Sequence, residues 1–243
     1  EIAALRLSAD GKIIWKKSFD IDAYDRPWAH VIDTQQNLYI ASENSVIKLN
    51  PQGELLWTVH LSEFVSPPTE EDPDPSMLIR DMKLYNDQIY VAGRHLILLN
   101  TDGAILQNIK FEKPIWQIYF KNNILYSAGN GLIQAFNSDN FSKTIFRYQL
   151  VKTQNPPAAI AVNDKGTIFV VTRNDNPQDS AYLTAISAQG KMIWSKFYDD
   201  IVDGSYDLPG TPKLLLLNNN NLVLCLSQHP TRSIQWISSQ DGH

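Results

Sequence analysis

A chain of 243 residues, 43% hydrophobic and only 19% charged, has enough apolar material for one sizeable core and too little charge to be disordered at large. The formal net charge of -5 and the lack of any Lys/Arg run argue against a phosphate-backbone partner, so no nucleic acid is expected. The longest strongly apolar run, residues 214–217, is far too short to cross a bilayer, and no transmembrane segment is expected.

Residues 1–19 contain LRLSADGKIIWKKSF, two apolar runs around a turn at Gly11 with Trp15 four residues after the glycine. Residues 45–61, SVIKLNPQGELLWTVHL, repeat that order. A short apolar run leads into turn formers ending at Gly53, after which Leu55, Trp57, Val59 and Leu61 share one strand face. The same grammar returns as LILLNTDGAILQNIKF around Gly103 and YLTAISAQGKMIWSKFY around Gly190 and Trp194. Residues 132–150 form a degenerate copy with Asn140 in the glycine's place and no tryptophan, and residues 233–243 stop inside the turn at Gly242.

Between successive hairpins lies a second pair of short apolar runs, such as 29–33 with 37–42 or 81–85 with 88–92, so each unit contains four strands. Full repeats begin near Trp28, Leu78, Pro114 and Pro156. A repeat of roughly forty to fifty residues that keeps strand order and turn chemistry together is the spacing of β-propeller blades. The expected fold is therefore an all-β propeller of four-stranded antiparallel blades, as a single domain over 1–243. A β-sandwich with regular hairpins is the competing arrangement, and it supplies no fixed tryptophan after each turn. Residues 1–19 provide only a third and a fourth strand, and residues 212–238 a first to a third. Two completions stay open: six blades closed by strand exchange, or a fragment of a seven- to eight-bladed ring.

Strand alternation puts the short turns at one end of the blades and the long segments, 20–28, 62–77, 174–180 and 199–211, at the other. Long loops on a rigid scaffold are where binding is expected. The candidate binding residues at that end are Tyr24, Arg26, Trp28, Arg80, Arg94, His95, Trp116, Arg173, Asp175 and Tyr206, combining aromatic anchors with guanidinium donors. The proline-rich acidic stretch 62–76 reads as a solvated loop, because its carboxylates lack the glycine-turn spacing of a calcium loop. Cys225, the sole cysteine, lies in an apolar strand as a buried thiol and leaves no disulfide and no cysteine metal site. The five histidines are dispersed by the repeats, and the sequence lacks a Gly-rich phosphate loop, HExxH and GxSxG, so no metal and no catalytic residue is expected.

The hairpins LSADGKIIW, LNPQGELLW and ISAQGKMIW resemble the tryptophan-containing repeat of the PQQ-like, or quinoprotein-type, propellers. The stretch IDTQQNLYIASENSVIKLNPQGELLW is also similar to the repeats of NHL-type bacterial surface propellers. The resemblance implies that Trp15, Trp57 and Trp194 pack between neighbouring blades. Quinoprotein dehydrogenases of that family hold their cofactor with two adjacent cysteines, and a chain with Cys225 alone is expected to bind no such cofactor. Three expectations about function stay open. A non-catalytic protein-interaction scaffold acting through the long-loop face is the leading expectation, with a protein partner. A small-ligand or carbohydrate-binding sensor domain is the alternative, and a lyase or hydrolase with a channel site comes third. The resemblance and the absent initiator methionine lead to an expected extracytoplasmic location, periplasmic or at the cell surface.

Overall fold

A computed structural model of the chain describes residues 1–21, 26–64, 79–111, 113–150, 157–173, 181–198, 213–217, 221–226 and 233–242. They form antiparallel sheets, with a 3-10 turn at Ser62–Phe64 as the one helical element among them. Sheet A is the hairpin β1 (Ile2–Leu7) and β2 (Ile13–Phe19). Sheet B runs β3 (Ala29–Ile32), β4 (Leu38–Ala41), β5 (Ser45–Leu49), β6 (Leu55–His60), and sheet C runs β7 (Asp81–Tyr85), β8 (Gln88–Ala92), β9 (His95–Asn100), β10 (Ile105–Lys110). Sheet D comprises β11 (Gln117–Lys121), β12 (Ile124–Gly129), β13 (Leu132–Asn137) and β14 (Asn140–Gln149). Sheet E comprises β15 (Pro157–Val162), β16 (Ile168–Arg173), β17 (Ala181–Ile186) and β18 (Met192–Tyr198), and sheet F ends the series with β19 (Lys213–Leu216), β20 (Leu222–Leu226) and β21 (Ser233–Ile237). Each four-stranded sheet is a meander in chain order, the blade of a β-propeller. Sheets A to C belong to one compact unit, Glu1–Ile115, and sheets D to F to another, Trp116–His243.

Turn chemistry explains why the chain reverses where it does. The third-to-fourth turns carry glycines in the left-handed region, Gly53 at φ 73° and Gly103 at 87°, where a Cβ would be strained. Asn50 Oδ1 accepts from the amides of Gln52 and Glu54, and Asn100 Oδ1 does the same for Asp102 and Ala104. The pairs Asn86-Asp87, Asn122-Asn123 and Asn130-Gly131 all have positive φ and close two-residue hairpins.

The core is the apolar filling between facing sheets. Ile2 and Ala4 pack on Ile40, Ile47 and Leu49 between A and B, and Tyr39, Val46 and Leu61 meet Met82, Ile89 and Ile97 between B and C. In the second unit, Tyr126, Ile133 and Leu150 meet Ile160, Ile168 and Val170 between D and E, and Phe169 and Leu183 meet Leu214 and Ile237 between E and F.

The fourth-strand aromatics sit at these seams. The Trp15 ring lies under Gly53 of the next sheet, where a Cβ would stand 2.8 Å from Cδ2, and Trp57 lies likewise under Gly103. Two donors then converge on one carbonyl. Trp15 Nε1 (2.9 Å) and Arg6 Nη1 (2.8 Å) both donate to Pro51 O, while Trp57 Nε1 (3.2 Å) and Lys48 Nζ (2.8 Å) both donate to Thr101 O. The cation stands opposite the tryptophan in each hairpin, Arg6 facing Trp15 and Lys48 facing Trp57.

In the second unit Ala135 faces Phe146 and Ala185 faces Trp194, so no cation is present at those positions. Trp194 packs under Gly242, but at its benzo edge (Cζ3, Cε3), and its buried Nε1 has no acceptor among the described residues. The turn there is one residue longer: Gly242 N donates to Ser238 O, four residues back, whereas Gly53 N donates to Asn50 O, three back.

Two expectations need correction. Asn140 does not replace the turn glycine; it is the first residue of β14 and pairs with Asn137 across a two-residue turn. The missing tryptophan's place is taken by Phe146, whose ring lies under Gly190. Leu55 does not share a buried face with Trp57, because β6 carries a bulge between them and leaves Leu55 47% exposed. The bulge recurs in every fourth strand, and the extra residue is aliphatic and half exposed: Ile14, Leu56, Leu106, Ile145 and Ile193. A bulge twists an outer strand away from regular pairing with another chain.

Candidate interaction site

Three candidate residues occupy one structural position, the residue just before a blade's first strand. There the backbone N–H donates to a carbonyl at the end of the second strand: Trp28 to Ala41 O (2.9 Å), Arg80 to Ala92 O (2.8 Å) and Trp116 to Ala128 O, one residue before the end of β12 (2.9 Å). The bond fixes each side chain at the long-loop end of its sheet. In the first unit, neighbouring sheets B and C bring two of them together, and the Arg80 guanidinium lies 4.5 Å over the Trp28 ring. Trp28 remains 38% exposed. Arg26 is exposed two residues earlier, and Arg94 is half-buried in the β8–β9 turn, next to Gly93. Gly93 O accepts from Ile115 N (2.7 Å), which ties that turn to the exit of the sheet.

The neighbouring groups are already engaged. Asp81 is buried beside Arg80 and takes Lys83 Nζ at 2.5 Å and its neighbour's amide, Met82 N, at 2.9 Å. His95 is buried, and its Nδ1 lies 2.6 Å from Asn108 Oδ1 on β10. Trp116, in the second unit, donates its indole N–H to Asn130 Oδ1 (3.2 Å) in the β12–β13 turn. Arg173 ends β16 opposite Ala181, and its side chain lies outside the described residues. Tyr24, Asp175, Tyr206 and the side chain of Cys225 also lie outside them, as does the acidic stretch from residue 65 onward.

The structure therefore joins Trp28 to Arg80 on a common end with Arg26 and Arg94. Sequence reading missed Asn108 and Asn130, the residues that hold His95 and Trp116. Hairpin register was the available signal for Asn108, which sits across from Ile97, two residues along β9 from His95.

The opposite, hairpin end carries the perturbed titrations. Burial raises the Asp33 carboxyl, but hydrogen bonds from the Asn37 side chain and amide, the Tyr39 hydroxyl and the Gln35 amide outweigh it and hold Asp33 below its ordinary value. Tyr39, fully buried, is raised by desolvation and then by its bond to Asp33. These groups tie the β3–β4 turn to the core, with Lys48 5.2 Å over the Tyr39 ring and Trp57 5.8 Å from it. Among the described residues no cluster of three His, Cys, Asp or Glu side chains is placed to hold a metal ion, and no helix is long and apolar enough to cross a membrane.

No known family profile matches the chain, and no curated protein matches it in sequence. Solved structures do resemble it. The WD40 domain of Neurospora crassa Pan2 superposes with a TM-score of 0.62 at 9% identity, over 95% of this chain and 71% of that one. BBS1N, solved in complex with ARL6DN, gives 0.61 at 16% identity over 89% of this chain and 64% of its own. BamB from Moraxella catarrhalis gives 0.51 at 14% identity over 96% and 78%. At these identities the likeness carries the fold, and the chain is an all-β protein with β-propeller architecture.

Proposed function

We propose that this chain is a non-catalytic interaction scaffold that recognises a protein partner through the long-loop end, with Trp28 and Arg80 at the centre of the contact and Arg26 and Arg94 beside them. The carrying observation is the stacked pair itself, a guanidinium over an indole that keeps 38% of its surface open. Tryptophan and arginine dominate interface energetics because they bury large area while retaining directional donors. BBS1N, a propeller neighbour, is itself solved with a protein partner. Tyr24 and His95 are proposed as further binding residues of the first unit, and Trp116, Arg173, Asp175 and Tyr206 as binding residues of the second unit. In this reading residues 1–243 act as one propeller domain of the PQQ-like type, outside the cytoplasm in the periplasm or at the cell surface. The repeated clamp of tryptophan on the next blade's turn supports the repeat type.

The test is affinity capture from the source organism with the intact chain and with Trp28→Ala and Arg80→Ala. Binding of the captured partner should weaken by about 2 kcal/mol or more in each variant. Retention of full affinity by both variants would refute the reading, and partner loss in variants of Asp10, Asp102 or Lys165 alone would move the site to the hairpin end.

A further inference from the structure

The bulge in each fourth strand pushes an aliphatic side chain out of the ladder, and what surrounds that side chain differs between sheets. In sheet D, Ala135 faces Phe146 and Phe136 faces Thr144, which leaves Ile145 without a cross-strand partner and 49% exposed. In sheet E, Ala185 faces Trp194 and Ile186 faces Met192, which leaves Ile193 likewise at 52%, with Met192 beside it at 54%. The packing of sheet E on sheet D brings the three together. A Cβ at Gly190 would stand 2.8 Å from the Phe146 ring, so the β17–β18 turn rests on the residue next to Ile145, and Met192 and Ile193 follow directly after that turn.

The charges around this apolar edge are lysines. Exposed Lys143 and Lys191 flank Ile145 and Met192 in the chain. Exposed Lys165 lies in the β15–β16 turn, where a Cβ at the adjacent Gly166 would stand 3.0 Å from Ala188 Cβ in the β17–β18 turn. Of the two carboxylates in the turns at this end of sheets D and E, Asp164 is taken by Lys121 Nζ at 2.5 Å, and Asp139 is the other. Strands β14 and β18 carry Lys143, Arg147 and Lys196 and no Asp or Glu, although carboxylates outnumber Lys and Arg by 26 to 21 in the whole chain. Sheets B and C have the same exposed aliphatic positions, Leu55, Leu56 and Leu106, but their turns present Glu54 and Asp102 instead.

We propose that the outer edge of sheets D and E is a docking surface for an anionic lipid bilayer, with Ile145, Met192 and Ile193 entering the interface and Lys143, Lys165 and Lys191 meeting lipid phosphates. The bulges at Ile145 and Ile193 break the row of main-chain donors and acceptors that a protein partner would need for strand addition. A bilayer needs no such ladder and no complementary shape. It takes up protruding apolar side chains to a depth of roughly 5–10 Å, while lysines on flexible stems keep their ammonium groups at the headgroups. The same cations are drawn to an anionic leaflet over about one Debye length, which makes the contact sensitive to salt. The surface uses none of the residues of the Trp28–Arg80 contact.

The probe is vesicles of phosphatidylglycerol and phosphatidylcholine in equal parts, added to the full chain at about 0.1 M salt, with pure phosphatidylcholine vesicles as the comparison. The expected results are co-sedimentation that saturates with lipid, binding weaker by about tenfold or more on phosphatidylcholine alone, and loss of binding as salt approaches about 1 M. Lys143→Glu with Lys191→Glu should abolish binding, and Ile145→Gln with Ile193→Gln should weaken it by about tenfold. Leu56→Gln with Leu106→Gln, the matching positions of sheets B and C, should leave it unchanged. All six substituted residues are exposed, so Tm should stay the same, and the lipid and salt comparisons need no variant. Absence of binding to the anionic vesicles, equal binding to phosphatidylcholine, or an equal loss in the Leu56 and Leu106 variant would overturn the inference. So would a dimer in lipid-free solution that Ile145→Gln with Ile193→Gln converts to monomer, which would assign the edge to a second copy of the chain.

Discussion

At the hairpin end of sheets A to C the carbonyls of Pro51 and Thr101 each receive two side-chain donors, and a Cβ added at Gly53 or Gly103 would stand 2.8 or 3.1 Å from the ring of the neighbouring tryptophan. At the other end of sheets B and C, Trp28 and Arg80 stack on each other and leave the indole open. In sheets A to C the hairpin-end contacts are made within the fold, so substitutions there should act on folding; the long-loop end retains contact area, so substitutions there should act on binding.

The largest effect expected is at the seam. Trp57→Ala should lose about 3 kcal/mol in urea unfolding, the lower part of the range for aromatic truncation because the ring is half-buried. A value below about 1 kcal/mol would mean that the seam does not hold the sheets together. Next come the glycines. Gly53→Ala should cost about 2 kcal/mol, since the methyl meets the Trp15 ring and the left-handed backbone is strained as well, whereas Gly11→Ala, with nothing within 4 Å, should cost only the backbone part, about 1 kcal/mol. Equal costs would show that the close approach to tryptophan is irrelevant.

The two units give a finer comparison. Trp57→Phe removes an N–H that is bonded to Thr101 O and should cost about 1 kcal/mol beyond the loss of area. Trp194→Phe removes an N–H with no acceptor, and its cost should fall below that of Trp57→Phe by about the same amount. Similar costs would indicate that Trp194 finds an acceptor in solution.

The smallest effect concerns pH. Asp33 is held below its ordinary pKa of 3.8 in the folded chain, so the stability it supplies is complete above that value and is lost as pH falls through the lower folded one. Asp33→Asn should therefore cost roughly 1 kcal/mol near neutral pH and flatten the acid limb below about pH 4. An unchanged acid limb would assign that loss to other carboxylates.

Much of this was legible in the sequence because glycine and tryptophan are conspicuous where backbone conformation and seam packing demand them. Strand order, the repeat starts and the placement of Trp15, Trp57 and Trp194 follow from local pattern. Phe146 was not legible, because a two-residue turn without glycine moves the aromatic away from the four-residue spacing. The bulges escaped for a related reason: period-two alternation assumes an unbroken ladder, and one extra residue at Leu56 exposes Leu55. The contact of Trp28 with Arg80 joins residues from different repeats, and only the shared position before the first strand, seen once the hydrogen bonds to Ala41 and Ala92 are known, brings them together.

The central claim is that the long-loop end is for binding and the hairpin end for stability. Hydrogen exchange of the chain with and without its captured partner tests it most directly. Protection should rise in residues 26–30, 79–81 and 93–95 and stay unchanged in the turns at Gly53 and Gly103. Protection confined to those turns, with residues 26–30 and 79–81 unaffected, would contradict it.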